Sequence, residues 1–432
     1  MSTETIGLIG VVLLLVFMVA RMWIGVAMAA AGLIGYVYLA GIEKALLVMG
    51  QTPYSTLAMY EITAIPMFVF MGAIVSNTGV GADLYDTAYK WFGQLRGGLS
   101  IATIATCALF AAICGSSMAE ALTIGRIALP EMKKHKYDDS LATACIASGG
   151  TLGILIPPSM GFLLYGILTE QSVGILFMAG IFPGVLLSLL YVLSIVVWTR
   201  RNPNAGPPGP RTSFKEKIIS LKKTWTTIAL FLLVMGGIYM GIFTPTEAGA
   251  VGVFGAIVIT LTSRQLNSRN LYSSIMETAM TTALIILLVI GAFIFMRFMA
   301  LSRLPFTMAD FIGTLNLPTY VIWAIIILFY IFLGMFLDIM SCIVITVPII
   351  YPVIVALGFD PVWFGVQIVL LVEVGLITPP IGMNVFVLSS VTDVPLGTIF
   401  RGVWPFVAAT ILCIVIVTIF PQIALFIPSK MF

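Results

Sequence analysis

Apolar residues run nearly unbroken along most of this chain, in stretches of about twenty that show no strict alternation with polar residues. The stretch TTALIILLVIGAFIF, from Thr281 to Phe295, is typical. A helix of this length crosses a hydrocarbon core of about 30 Å. Because a bilayer interior offers no water to backbone N–H and C=O groups, only helices or a closed barrel can span it. Strands of a membrane barrel alternate apolar and polar residues. Because these stretches show no such alternation, helices are favoured.

Composition supports a membrane protein. The chain has 432 residues, of which 60% are hydrophobic and 9% charged, whereas a soluble domain carries about 25% charged residues. The first apolar stretch begins with Glu4 in place of a basic region and has no A-x-A cleavage pattern, so we expect a retained span and no signal peptide. The predicted fold class is an all-α polytopic membrane protein.

The polar interruptions divide the chain into two halves, 1–200 and 224–432. The segment between them, 201–223, is rich in Pro, Gly, Lys and Arg, and the positive-inside rule places it in the cytoplasm. The spans predicted for the first half lie near 5–20, 23–41, 62–78, 140–170 and 174–199.

One motif occurs in both halves. The stretch SGGTLGILIPPSMG (148–161) and the stretch EVGLITPPIGMN (373–384) each contain Gly-x-x-x-Pro-Pro, and the two copies lie 222 positions apart. The same offset pairs Ser116 with Asp338. Agreement at glycine, proline and polar positions over most of both halves indicates an internal repeat.

Each half also contains an interrupted apolar segment that we interpret as a re-entrant hairpin. Segment 98–132 has basic loops at both ends and the tip Gly-Ser-Ser at 115–117, which predicts entry from the cytoplasm. Five crossings per half is an odd number, so the second copy is predicted to be inverted. Its hairpin, 319–357, then opens from the outer side with a tip near Asp338, and both termini lie outside. The broken helices are predicted at 140–170 and 361–390.

The paired prolines explain what these segments do. Proline lacks an N–H group and disfavours helical dihedral angles in the preceding residue, and glycine permits non-helical angles. Each break frees polar backbone groups, which cost several kcal/mol if left in hydrocarbon. Freed carbonyl groups suit Na⁺, and half-helix N-termini suit a carboxylate. Matching broken helices in inverted halves indicate a transporter's central binding site.

We therefore predict two cation sites and one substrate site. Asp338 would supply a formal charge to its cation site, where Ser116 offers a hydroxyl group. Simpler interpretations stay open: a water-exposed acid for Asp338, hydroxyl bonds to helical carbonyls, helix packing for the glycines, and a snorkelling Arg126. The predicted cation ligands are Ser116, Ser117, Ser148, Gly149, Gly150, Thr151, Gly153, Asp338, Ser341, Gly375 and Thr378; the predicted substrate contacts are Ser117, Pro157, Pro158, Pro379, Pro380, Asn384 and Arg126.

Other chemistry finds little support in the sequence. The five cysteines lie in apolar segments without C-x-x-C spacing, which argues against disulfides or a metal centre. No P-loop, H-E-x-x-H or G-x-S-x-G pattern occurs, so we expect neither ATP use nor an enzyme, no cofactor, and no nucleic-acid partner. The acids Glu61, Glu247 and Glu373 are expected at or near span ends, with Glu247 favoured by a helix dipole.

The stretches GSSMAEALTIGRIALPEMKK, SGGTLGILIPPSMG, TPTEAGAVGVFGA and GLITPPIGMNVFVLSS resemble the large membrane subunit, the DctM type, of tripartite ATP-independent periplasmic (TRAP) transporters. The resemblance covers essentially the whole chain. It implies a bacterial inner-membrane protein that imports organic anions, such as C4-dicarboxylates, sialic acids or sulfonates, on a Na⁺ gradient.

The resemblance also implies two partners, a small membrane subunit (DctQ type) and a periplasmic substrate-binding protein (DctP type). It implies that the hairpins and broken helices form a mobile domain that moves as an elevator. One Na⁺ site is implied at Ser116/Ser117 with the Ser148–Gly153 break, and the other at Asp338 with the Gly375–Thr378 break. Two alternatives remain: a divalent-anion/Na⁺ symporter without a binding protein, whose tips usually carry Ser-Asn-Thr, and a non-transporting membrane anchor or intramembrane enzyme.

Overall fold

A computed structural model describes residues 1–314 and 317–431, and this part of the chain is helical with no β-strand. A short 3₁₀ turn at Tyr60–Thr63 precedes α4. The helices are α1 (Thr3–Val19), α2 (Ile24–Ala40), α3 (Ile42–Leu57), α4 (Ala64–Ser76), α5 (Val80–Phe92), α6 (Gly98–Cys114), α7 (Ser117–Lys134), α8 (Asp139–Leu155), α9 (Met160–Thr169), α10 (Val173–Arg201), α11 (Phe214–Tyr239), α12 (Pro245–Thr262), α13 (Ser268–Ser302), α14 (Leu304–Thr314), α15 (Thr319–Gly334), α16 (Ile339–Ala356), α17 (Pro361–Ile377), α18 (Met383–Ser390), α19 (Leu396–Ile419) and α20 (Gln422–Leu425).

Seven of the described helical stretches are long and apolar enough to cross a membrane, with α8 and α9 taken together as one. An eighth span is added if α3 and the segment Tyr60–Ser76, which meet at an angle of 57°, cross as one bent unit. The prediction of an all-α polytopic membrane protein is confirmed.

The first two predicted spans correspond to α1 and α2, but α3 and α5 were not predicted. In helix α3, the residues Gln51, Thr52 and Pro53 interrupt the apolar sequence. The helix therefore lacks the continuous apolar stretch on which the span predictions were based. Helix α5 is amphipathic, and its polar face carries Asp83, Asp86 and Lys90. Because these charged residues interrupt the apolar sequence, the segment resembles a polar loop.

The segment between the halves is shorter than the sequence suggested. Helix α10 runs to Arg201, and α11 begins at Phe214, so 202–213 is non-helical, in place of the predicted 201–223. The Ser213 side chain starts α11 by accepting from the Glu216 N–H at 3.3 Å, while the Glu216 carboxylate accepts from the Ser213 N–H at 2.8 Å. This capping box satisfies two N–H groups that a helix start leaves free.

The two hairpins, α6–α7 and α15–α16, have their bases at opposite ends of the bundle. Gly97, at the base of the first, donates to the Gly206 carbonyl of the inter-half segment at 2.8 Å. Tyr351, near the base of the second, accepts from Gln171 at 3.2 Å. Asp138, at the start of α8, donates to the Ala205 carbonyl at 3.0 Å, whereas Gln171 follows α9 at the far end of the same broken helix, so the two hairpin bases lie at opposite ends of the bundle.

Glycines let several helices approach more closely than side chains would allow. The clearest case joins α2 and α13, where a Cβ on Gly291 would lie 2.9 Å from the Gly25 Cα atom, 2.8 Å from the Gly25 carbonyl carbon, and closer still to its oxygen. Small residues at such crossings stabilise membrane helix pairs through backbone contact.

We predict that Gly291→Ala lowers the free energy of unfolding by about 1–3 kcal/mol, because the added methyl group forces α2 and α13 apart. Gly236→Ala in α11 is the matched control, since a Cβ there meets nothing within 4 Å, and helix propensity favours alanine. Thermal unfolding in detergent measures both variants. Equal midpoints for the two variants would contradict the packing described here.

Candidate functional site at two broken helices

The tip of the first hairpin is a turn between α6 and α7. Gly115 adopts φ +66°, in the left-handed region, and Ser116 is extended and caps α7 by accepting from the Ala119 N–H at 3.4 Å. A Cβ on Gly115 would lie 2.9 Å from the carbonyl oxygen of Pro158. The hairpin tip therefore packs directly against the interruption between α8 and α9.

That interruption lies at Ile156–Ser159, between α8 and α9. The Pro157–Pro158 peptide bond is cis, and Ser159 caps α9 by accepting from the Phe162 N–H at 3.3 Å. Both prolines are buried. The predicted break is thus present, but it is confined to the proline pair and its neighbours.

The prediction that the stretch Ser148–Gly153 belongs to the break is wrong. Ser148, Gly149, Gly150, Thr151 and Gly153 all lie within α8. The glycines are used for close packing instead: a Cβ on Gly150 would lie 3.0 Å from the Ser117 carbonyl oxygen, and one on Gly153 would lie 3.0 Å from that of Ser116. Backbone contact between α7 and α8 requires their small size.

The two hydroxyl groups in this stretch differ in what they contact. Thr151 Oγ1 donates to the Ser148 carbonyl at 2.6 Å and lies 2.9 Å from Tyr191 Oη, which lies 2.8 Å from Thr410 Oγ1. Thr151 therefore belongs to a buried hydrogen-bond chain between α8, α10 and α19. Ser148 Oγ is buried without a hydrogen-bond partner among the described residues.

The second hairpin turns between α15 and α16, where Asp338 caps α16. Its Oδ2 accepts from the N–H groups of Met340 and Ser341 at 3.1 and 3.3 Å, and its Oδ1 accepts from the Ser341 hydroxyl group. Asp338 is half-buried. The structure thus places a carboxylate and the N-terminus of α16 together at the hairpin tip.

The second broken helix is interrupted at Thr378–Gly382, between α17 and α18. Thr378 is extended, the Pro379–Pro380 bond is cis, and Gly382 has φ +55°. The Thr378 hydroxyl group donates to the Val374 carbonyl at 2.5 Å. Gly375 remains helical and lies against Gly334 at the end of α15, so it is a packing residue, as in the first half.

The two halves meet at Asn384. Its Nδ2 atom donates to Ser117 Oγ at 2.7 Å and to the Ala147 carbonyl at 3.3 Å. One side chain thereby joins the starts of α18 and α7 to the middle of α8. Of the predicted substrate contacts, Ser117 and Asn384 are brought together, whereas Arg126 is exposed on α7 and is placed in no such cluster.

Two acids in the helices around this contact are fully buried, which the sequence did not indicate. Glu373 was expected at or near a span end; it lies four residues before the end of α17 and is fully buried. Glu120, three residues after Ser117 in the first turn of α7, was not considered and is also fully buried. The signal available was its place inside the GSSMAEA stretch, one helical turn from a predicted ligand. Glu247, in contrast, forms a capping box with Thr244 at the start of α12.

A cavity of about 550 Å³ opens at the end of the bundle that holds the 58–63 and 170–172 turns. Its lining includes Tyr60, Glu61, Ile167, Glu170, Thr244 and Phe293. The Tyr60 hydroxyl group lies 3.2 Å from Thr244 Oγ1. The cavity therefore lies between one end of the first broken helix and the ends of α4, α12 and α13 that face it.

Comparisons with known proteins agree with this geometry. The family model described as "Tripartite ATP-independent periplasmic transporter, DctM component" matches residues 11–423. The C4-dicarboxylate TRAP transporter large permease protein DctM of Pseudomonas aeruginosa is 35% identical over 377 residues, which is 87% of this chain and 88% of that protein.

The sialic acid TRAP transporter large permease protein SiaM of Vibrio cholerae is 33% identical over 86% of both chains. A crystal structure of the YdaH transporter of Alcanivorax borkumensis superposes with a TM-score of 0.64 over 88% of this chain and 89% of that chain, at 15% identity. That last likeness shows a shared fold alone.

We predict that Gly115→Ala destabilises the protein more than Gly358→Ala does. Both glycines have positive φ, +66° and +78°, so both substitutions carry backbone strain of about 1–2 kcal/mol. Only at Gly115 does the new methyl group meet another element, the Pro158 carbonyl; a Cβ on Gly358 meets nothing within 4 Å. Thermal unfolding midpoints test the difference. A larger loss for Gly358→Ala would show that the hairpin tip is not packed on the break.

Proposed function

Because the chain belongs to the DctM family of large membrane subunits of TRAP transporters, we propose that it imports small organic anions across the bacterial inner membrane in symport with Na⁺. The relatives described above are named for C4-dicarboxylates and sialic acid, both of which carry carboxylate groups. A carboxylate is accordingly the substrate group we expect this chain to bind.

The observation that carries this proposal is the Asn384–Ser117 contact. It joins the N-terminal ends of α18 and α7, one from each half, inside a bundle of apolar helices. Helix α18 begins at Met383 without a side-chain cap, so its first N–H groups remain available to an anionic ligand. Helix N-termini attract carboxylates through these N–H groups and the helix dipole.

The coupling ions are proposed to bind next to the same breaks. At the ends of α8 and α17 the last carbonyl groups lack helical partners, and hard cations prefer such oxygen ligands. Asp338 and Ser341 add a carboxylate and a hydroxyl group in the second half, and Ser116 and Ser117 add hydroxyl groups in the first. An ionisable residue inside a membrane bundle is a functional candidate by default.

The packing suggests which parts move. Helices α6 to α9 pack on one another, α16 packs on α9, and α18 packs on α7, which joins both hairpins and both breaks in one group. A second group is formed by α2 with α13, α12 with α4, and α11 with α12. We propose that the first group slides as an elevator against the second, with the 550 Å³ cavity lying between them.

A small membrane subunit (DctQ type) and a periplasmic binding protein (DctP type) complete the proposed system, as the name of the family implies. Both termini are proposed to be periplasmic, opposite the 202–213 segment and the basic residues on either side of it, Arg200, Arg201, Lys215 and Lys217. A symporter that works without a binding protein is the less favoured alternative, since the family match extends over residues 11–423.

We predict that proteoliposomes containing this chain and its small subunit take up a C4-dicarboxylate or sialic acid only when the matching binding protein and an inward Na⁺ gradient are both present. Replacing Na⁺ by choline should reduce uptake to the level of empty vesicles. Uptake that needs neither Na⁺ nor a binding protein would contradict the proposed function.

A further inference from the structure

The carboxylates of Glu120 and Glu373 are buried near the contact between the halves, and neither has a hydrogen-bond partner among the described residues. Glu120 and Glu373 are both fully buried, and all four of their carboxylate oxygens lack a hydrogen-bond partner among the described residues. Buried polar groups in native structures nearly always have partners. These two side chains therefore require an explanation that the fold alone does not provide.

Both acids belong to the helices around the Ser117–Asn384 contact: Glu120 is in α7, and Glu373 is in α17, which packs on both α8 and α18. Glu120 follows Ser117 by one turn of α7, and a Cβ on Gly153 would collide with its Oε2 atom. The Ser117 side chain is the polar neighbour of the Glu373 carboxyl group, without hydrogen-bonding geometry.

A third side chain, that of Asn384, lies at the same contact and also has an oxygen atom without a hydrogen-bond partner among the described residues. Asn384 is fully buried; its Nδ2 donates to Ser117 Oγ at 2.7 Å, while its Oδ1 has no partner among the described residues. The cluster thus offers carboxylate, carboxamide and hydroxyl oxygens, and no Lys, Arg or His side chain pairs with either acid in the described chain. A set of oxygen ligands with excess negative charge suits a hard cation.

We propose that Glu120 and Glu373 bind one alkali cation between the two halves, with Ser117 Oγ and Asn384 Oδ1 as further ligands. This rests on the proposed function, in which Na⁺ is the coupling ion, and it changes the composition of the first cation site. That site was predicted from hydroxyl groups and glycines of the first half alone. Here its charge comes from both repeats, so ion binding ties α7 to α17.

A binding ion also explains why these acids are tolerated. An unpaired carboxylate inside a membrane bundle is costly, and two of like sign are more so. A cation shared between them removes the repulsion and supplies the missing partner for their oxygens. The same ion would fix the position of the first hairpin relative to the second broken helix, because Glu120 lies in α7 and Glu373 lies in α17, two residues before Gly375 and its packing contact with Gly334.

The test is a Na⁺ titration of thermal unfolding for the purified full chain in detergent, with choline chloride keeping the ionic strength constant. Glu120→Gln and Glu373→Gln should each raise the half-saturating Na⁺ concentration about tenfold or more. Glu131→Gln is the matched control, a half-buried acid near the end of the same helix α7 whose carboxylate lies 3.6 Å from Lys134 Nζ, and should titrate like the wild type. Asp338→Asn should leave this response in place while it weakens the other site.

Unchanged Na⁺ titrations in both glutamine variants would overturn the proposal. So would a wild-type protein whose stability responds to pH but equally to Na⁺ and choline, since the acids would then simply hold protons. If a glutamine variant does not fold, Ser117→Ala removes a neutral ligand and should shift the titration in the same direction. Na⁺-driven uptake combined with unchanged titrations would reject this site alone, whereas Na⁺-independent uptake would reject the proposed function.

Discussion

The structure depends on the constraint that a membrane interior offers no water to an interrupted helix. At both interruptions, backbone groups that a continuous helix would pair with one another become free. In this protein, each interruption lies against a hairpin of the same half: Gly115 approaches the Pro158 carbonyl, and Gly334 approaches Gly375 beside the second break. The hairpins and the breaks can therefore exist only together.

Glycine residues make this arrangement possible mainly because they allow neighbouring helices to pack closely, and less because their own backbone is flexible. Within α8 and α17, the glycines next to the breaks keep helical angles and allow the neighbouring backbone to approach. A helix pair in contact through its backbone is held by many weak contacts that a single methyl group disturbs. The polar centre is thus surrounded by closely fitted helices, which is the environment in which electrostatic interactions are strongest.

The sequence predicted the features that local chemistry determines. The effect of two consecutive prolines is local, so both breaks were found, and Asp338 follows the preference of acids for helix starts. The glycines of 148–153 were misplaced because glycine suits either a break or a close contact, and the partner that decides between them, α7, is set by the tertiary fold.

The burial of Glu120 and Glu373 could not be predicted from the sequence either. Glu373 lies four residues from the end of α17, so in sequence it resembles a terminal acid, and only the packing of α17 among its neighbours shows that no solvent reaches it. Glu120 lies in the same GSSMAEA stretch as the predicted ligands Ser116 and Ser117, but nothing in that stretch shows that its carboxylate is buried. Long-range contacts such as Asn384–Ser117, which join the two repeats, cannot be read from either repeat alone.

The most direct test is a pair of high-resolution cryo-electron microscopy maps of the protein in lipid nanodiscs, one in Na⁺ and one in choline. The account predicts that both helices are interrupted at their proline pairs and that the Na⁺ map alone contains non-protein density beside Ser117 and beside Asp338. Helices that cross the membrane without interruption, or two maps with no difference at these positions, would contradict it.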